Sequence, residues 1–313
     1  MKSYRSLLVT VLLLVISNLS LIWATLYELV SSSSKPTKDP IRTYESKFEQ
    51  QCISICARWD DCRAYAFTHS TVNGNSLIRC DFYDAIISLQ DLQRVDGVRF
   101  FMEKNLDCKD LYDRGARQSG VYMVNLMGRQ KKAVRCNMDV EDGGWLVFTR
   151  RTSQKIENFN RLWNEYKNGF GNMETEFWLG NDLLHELTKW KPHQVFVWGI
   201  GMNGQEGISM HRDFKVGSED DGYRLTYDRS YIGLKSFEKP GILDKSHYNM
   251  LFTTPDRDQD PYTTTHCGER EESGFWYSHC GPLKLFRPTG IIWSGFQTGS
   301  TIKEVQIMIK RQD

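Results

Sequence analysis

Between Thr253 and Cys280 the chain reads TTPDRDQDPYTTTHCGEREESGFWYSHC, a dense run of potential ligand atoms. Asp256, Asp258 and Asp260 alternate at i, i+2 and i+4, so a looping chain can turn several carboxylates toward one point. Calcium is a hard cation that takes about six to eight oxygens, mixing carboxylates with backbone carbonyls. The run is not an EF-hand. Counted from Asp256, the positions that such a loop reserves for Gly and Glu hold Pro261 and Cys267. His266-Cys267 and His279-Cys280 add two imidazoles and two thiols. Those four groups suit zinc in a reducing compartment and a disulfide in an oxidising one. On the residues alone, an acidic surface turn that holds no ion is a third reading.

The compartment decides between these chemistries. Lys2 and Arg5 precede an apolar stretch, Leu7–Ile16, which reads as a signal peptide over 1–24 with Ala24 as a cleavage residue. Apolar character resumes in LSLIWATLYELV, so an uncleaved type II membrane anchor is the alternative. Both readings place the remainder outside the cytosol, as a secreted or membrane-tethered extracellular protein. The 8 cysteines, at 52, 56, 62, 80, 108, 136, 267 and 280, are then expected to pair within local units, and zinc recedes. Lys plus Arg (40) nearly equals Asp plus Glu (39), which argues against nucleic acid as a partner. Enzyme motifs fail. His185-Glu186 is followed by Lys189 where a zinc protease needs His, and Gly207–His211 lacks the closing Gly of a nucleophile elbow. No phosphate-binding loop is present, and no catalytic residue is expected.

The elements that must position the Asp and Cys residues fall into two groups. SSSSKPTKDP has linker composition, and 25–40 is read as a linker. A compact unit over 41–104 follows. It has a helix pattern in CISICARWDDC, strands in RAYAF and RCDFYDA, and a closing GVRFFMEK. A unit this small needs staples. From 105 to 313 turn signals alternate with β-like segments such as GWLVFTRR, HQVFVWGIGM and EVQIMIK. Two helix patterns interrupt them, NFNRLWNEYKNGF and NDLLHELTKW, the second with Leu183, Leu184 and Leu187 on one face. The expected class is α+β, with no internal boundary after Asp107.

The first unit resembles a PAN/apple-type module through its C-x3-C-x5-C spacing, Tyr65-Ala66-Phe67 and Cys80-Asp81-Phe82-Tyr83. That resemblance implies bridges Cys52–Cys80 and Cys56–Cys62. The second region resembles a fibrinogen C-terminal domain. The likeness runs through DCKDLYDRGARQSGVYMV, RCNMDVEDGGWLVFTRR, LWNEYKNGFGN, EFWLGNDLLHELT, NMLFTTPDRDQD and FWYSHC. It implies a central antiparallel sheet with flanking helices and a loop-rich calcium and ligand subdomain. It also implies bridges Cys108–Cys136 and Cys267–Cys280.

By the same resemblance, the side chains of Asp258 and Asp260 and the carbonyls of Tyr262 and Thr264 would hold Ca²⁺. In lectin-like relatives of the ficolin and tachylectin type, a neighbouring pocket takes acetyl groups. Here it would involve His266, Cys267, Trp276, Tyr277 and His279, with a cis peptide at His266-Cys267 presenting N–H donors. Several positions depart from that pattern. Gly281 stands where a His is usual, PLKLFRP replaces an Asn-Leu-Asn-Gly stretch, and GEREE holds no aromatic. The leading expectation is calcium-assisted, lectin-like recognition of glycans or acetylated groups in innate immunity. The alternative is an adhesive, matrix or receptor-binding protein whose partner is another protein. Neither a collagen repeat nor a coiled coil is present, so a homo-oligomer would have to form by other means.

Overall fold

The computed structural model describes residues 27–59, 61–72, 75–103, 106–128, 130–229, 243, 246–280, 283–287, 290–293 and 302–312. The expected targeting segment lies outside them. Among the described residues no helix is long and apolar enough to cross a membrane. The chain packs as two units that divide between Ala133 and Val134.

In the first unit, Tyr27–Ser31 (β1), Ser34–Pro36 (β2), Arg42–Ser46 (β3), helix Glu49–Arg58 (α1), Ala64–Val72 (β4), Asn75–Tyr83 (β5), Leu92–Arg94 (β6) and Val98–Glu103 (β7) follow in order. They build an antiparallel sheet of order β1-β7-β4-β5-β3, with β2 paired to β6 beside it. Strand periodicity sorts the side chains. Tyr65 and Phe67 face one core cluster, while Ala64 and Ala66 face another with Phe100 and Met102. α1 lies on the Tyr65 side because Cys52 and Cys56, one turn apart, are its buried residues. Cys52 is bonded to Cys80 on β5, and Cys56 to Cys62 just past the helix.

Residues 25–40, expected as a linker, include two strands. β1 joins the sheet because the Tyr27 ring is buried against Tyr65, 5.5 Å away, and its hydroxyl donates to the Cys62 carbonyl. Ser and Pro composition at 31–36 misled because β2 is a short edge pairing, where a terminal Pro costs no ladder bond. Helix Cys108–Asp113 (α2) and strand Gly120–Leu126 (β8) also pack with this unit, β8 against the turn at Leu89–Asp91.

The second unit begins within Gln130–Asn137 (β9). It continues through Trp145–Thr152 (β10), Trp163–Asn168 (α3), Phe170–Gly171 (β11), Phe177–Trp178 (β12), Asn181–Trp190 (α4), His193–Gly201 (β13), Glu206–Val216 (β14) and Leu225–Thr226 (β15). Cys267–Arg270 (α5), Leu283–Lys284 (β16), Ile292–Trp293 (β17) and Ile302–Arg311 (β18) complete it. Its sheet runs β11-β12-β10-β18-β13-β14-β15 and is antiparallel throughout. Central strand β13 carries Val195, Phe196 and Val197 in succession, all buried, as a strand covered on both faces requires. α4 lies along β14 with Leu183, Leu184 and Leu187 buried. The longer helix pattern before it yields only α3, which Gly169 ends at φ +90°, where a Cβ would stand 2.5 Å from the Leu179 carbonyl. Trp178, Phe252, Tyr166 and Trp276 form an aromatic floor with ring centroids 5.0–5.9 Å apart.

Candidate functional site

The acidic loop is clamped at both ends above that floor. Thr253 and Phe275 exchange two backbone hydrogen bonds, of 2.9 and 3.0 Å. α5 lies so close to the loop that a Cβ on Gly268 would stand 2.6 Å from the Thr254 carbonyl. The Cys267–Cys280 disulfide closes the far side. Cys108 and Cys136 are disulfide-bonded as well.

The three alternating aspartates have separate tasks. Asp256 Oδ1 accepts from the Trp163 amide at 2.9 Å and from the Thr254 hydroxyl at 2.7 Å, so it caps the first turn of α3. Asp258 is exposed and accepts from the Asp260 amide at 3.3 Å. Asp260 accepts from the Tyr262 amide through Oδ1 and from the Cys267 amide through Oδ2, both at 2.9 Å. Burial, and then the nearby Asp258 carboxyl, raise the Asp260 pKa above the ordinary aspartate value, against the lowering effect of its two amide donors.

These residues fit a hard cation by donor chemistry. Two neighbouring carboxylates repel each other, and a carboxylate with two accepted N–H bonds retains lone pairs for a metal. Among the described residues no group of three or more His, Cys, Asp or Glu side chains is gathered for a metal, so a cation held here would draw its remaining protein ligands from carbonyls such as those of Tyr262 and Thr264. The Tyr262 carbonyl also accepts from the Thr265 amide at 3.2 Å.

The expected acetyl pocket is not assembled as anticipated. Among the described residues there is no cis peptide, so His266-Cys267 is trans. The Cys267 N–H, anticipated as a pocket donor, is directed at Asp260 instead. Trp276 and Tyr277 are 1% and 3% exposed and belong to the core. The Trp276 indole donates to the Tyr223 carbonyl at 2.7 Å, and the Tyr277 hydroxyl lies 2.7 Å from Ser273 Oγ. His266 Nε2 donates to the Thr254 carbonyl at 2.9 Å, which holds the loop to α5. His279 is exposed and lies 5.3 Å, ring to ring, from Tyr262.

One feature of the site escapes a reading of motifs. Glu271 is wholly buried, between the two bonded cysteines, with Lys284, Arg287 and Arg270 around it. GEREE reads as a solvated charge run. The signal that separates Glu271 from its neighbours is its place four residues after Cys267, on the inner face of the α5 turn, where its amide donates to the Cys267 carbonyl.

Residues 104–308 match the family described as fibrinogen beta and gamma chains, C-terminal globular domain. Bovine fibroleukin is 36% identical over 227 residues, covering 65% of this chain and 50% of its own length. Human fibrinogen-like protein 1 is 34% identical over 205 residues, covering 62% of this chain and 64% of its own. Mouse angiopoietin-1 is 30% identical over 264 residues, covering 77% of this chain and 51% of its own. The chain thus spans about half to two thirds of the length of these relatives. Among solved structures, the fibrinogen-like globe domain of human ANGPTL6 superposes with a TM-score of 0.59 at 29% identity, covering 66% of this chain and 95% of that one. A lamprey fibrin D-dimer complexed with the peptide Gly-His-Arg-Pro-amide gives a TM-score of 0.55 at 29% identity, covering 65% and 72%. With the sheet, the clamped acidic loop and the family match in agreement, the chain belongs to the fibrinogen C-terminal domain family.

Proposed function

We propose that the chain is an extracellular, non-enzymatic recognition protein that binds another protein through the loop-rich face around Asp256–Cys280. The observation that carries this reading is the commitment of the Cys267 amide to Asp260, together with the burial of Trp276 and Tyr277. With that amide engaged and those rings in the core, the geometry supports a surface that meets another protein over a pocket for an acetyl group. The likeness to fibroleukin and angiopoietin-1 supports the same direction, as does a related domain that takes a peptide. The PAN/apple-like character of the first unit remains part of the proposal, as a second module that contributes binding or self-association. The ficolin-like and tachylectin-like reading is the competing one. Passage of the folded protein through N-acetylglucosamine beads, with calcium present, is the expected result. Retention released by free acetate would restore the lectin reading.

Calcium is proposed as the loop's ordering ion, held by Asp258, Asp260 and the carbonyls of Tyr262 and Thr264. When bound it supplies positive charge between two repelling carboxylates and performs no reaction. The wild-type melting temperature is expected to rise on adding Ca²⁺, and Asp258→Ala with Asp260→Ala is expected to abolish that rise. An unchanged rise in the double variant would remove the assignment.

A further inference from the structure

A groove of about 310 Å³ opens where the last turn of α4 meets β14. Lys189, Trp190 and Lys191 line it from one side, Asp213 and Lys215 from the other. Its walls are pinned. The Val216 amide donates to Thr188 Oγ1 at 3.1 Å, which holds α4 against β14. The Gln312 amide donates to the Pro192 carbonyl at 2.9 Å, which ties the segment after α4 to the end of β18. The β13–β14 register shifts between His193 and Val195, so Arg212 and Asp213 stand out of the regular ladder, Asp213 at φ +52°.

Lys189, Lys191, Arg212 and Lys215 are all exposed. Among the described residues none of the four has a carboxylate partner. Lys191 meets an aromatic ring instead, its Nζ 5.9 Å from the Trp190 centroid. By contrast, Arg150, Arg151, Arg161, Lys167 and Arg224 of the same unit are each held by an acid. Asp213, the acid that lines the groove, pairs with none of the cations. The surrounding charges are Lys310, Arg311, Glu186 and Asp228, each engaged in other contacts, and Asp313, next in sequence to Gln312. With all of them counted, six cations stand against four acids. The carbonyl end of α4 adds about half a negative charge, which Lys189 offsets. A positive excess remains that no contact of the fold uses.

An exposed, unpaired lysine is a point charge on a flexible stem, so it can swing to a ligand from either wall. Four such cations, spread over α4, the segment after it and β14, exceed what one small anion can engage. A chain with repeated anionic groups can engage them all. Trp190, half-buried and next in sequence to both Lys189 and Lys191, adds a flat apolar surface that suits a sugar ring. We propose that this groove binds a sulfated polysaccharide, its sulfates on Lys189, Lys191, Arg212 and Lys215 and a sugar ring against Trp190. The formal net charge of the whole chain is +1, so attraction of a polyanion depends on this local excess and not on the molecule at large. The loop at 256–280 contributes no residue to the groove, so the groove goes beyond the protein-partner reading and stands or falls apart from it.

The test uses the intact secreted protein and a fluorescein-labelled heparin octasaccharide, followed by fluorescence anisotropy. The wild type is expected to bind it at least about tenfold more tightly than the fully desulfated octasaccharide, with affinity that falls as salt rises. Lys191→Gln and Lys215→Gln are each expected to weaken binding by about fivefold, the worth of one cation beside a densely charged surface. Lys303→Gln, exposed at the opposite end of β18, is expected to leave it unchanged. Asp213→Asn removes the acid of the groove with a residue that tolerates its left-handed backbone, and is expected to tighten binding by about fivefold. That gain keeps the test informative if a lysine variant fails to fold. Equal binding of the desulfated octasaccharide, or wild-type binding by a folded Lys191→Gln, Lys215→Gln double variant, would overturn the proposal. So would a hexaglutamate peptide that binds as tightly as the octasaccharide, which would make the groove a site for acidic protein segments. Retention on N-acetylglucosamine beads reports separately on the protein-partner reading.

Discussion

Asp260 shows how burial and a neighbouring like charge act on one carboxylate. Its carboxylate accepts two amides and lies beside Asp258, and burial and that neighbour raise its pKa. A raised folded-state pKa means the protonated form is favoured on folding. In the metal-free protein, its stabilising contribution is complete below the unfolded value of 3.8 and is lost as pH rises through the folded value. The calcium proposed for this loop would have to displace that proton, so its affinity is expected to fall as pH is lowered through the same window, as isothermal titration at several pH values would report. A pH-independent affinity would exclude Asp260 as a ligand. Glu176 makes a contrasting case. It is wholly buried, takes Arg151 at 2.9 Å, and accepts amides from Thr152 and Glu157 and the Thr152 hydroxyl. Glu176→Ala would leave a buried guanidinium without its carboxylate and is expected to cost about 3–5 kcal/mol in urea unfolding. A loss below about 1 kcal/mol would show that water repays the charge.

Among the elements, β13 carries a buried group that makes the second unit sensitive to pH. His193 is buried, its Nδ1 donates to the Lys191 carbonyl at 2.8 Å, and burial lowers its pKa from 6.5 to about 4. A depressed folded-state value gives stability that is complete above pH 6.5 and is lost as pH falls toward about 4. The melting temperature of the second unit is expected to decline across that window. His193→Gln should flatten the decline, and an unaltered profile would assign it elsewhere. In the first unit, the Cys52–Cys80 bridge spans a sequence separation of 28. Replacing both by Ser is expected to cost about 3–4 kcal/mol on the chain-entropy account, measurable by chemical unfolding. The sheet strands were legible as short β-branched and aromatic runs between turn signals, and α4 because its burial follows a period of about 3.6 residues. β1 was not, because a single buried Tyr27 decides its pairing, and composition there points to a linker. The short α3 was not, because φ at Gly169 and its approach to Leu179 are tertiary facts.

At the scale of the molecule, family and site were legible to different degrees. The framework blocks from Asp107 to Cys280 announce the family because they recur in order along the chain. The site's chemistry was only partly visible. Alternating aspartates raise the expectation of a cation loop, yet nothing in the spelling says that Asp256 caps a helix or that the Cys267 amide turns inward. Trp276 and Tyr277 look like pocket aromatics in sequence and are buried in three dimensions, Trp276 in the floor beneath the loop. The likeness to fibroleukin and angiopoietin-1 favours the proposed protein partner over a sugar, and those few interactions support the same proposal. The most direct test is binding of the labelled, secreted protein to intact cells with calcium, measured with excess N-acetylglucosamine and again after mild trypsin treatment of the cells. The account predicts binding that ignores the sugar and disappears after trypsin. Binding that survives trypsin and is released by the sugar would contradict it.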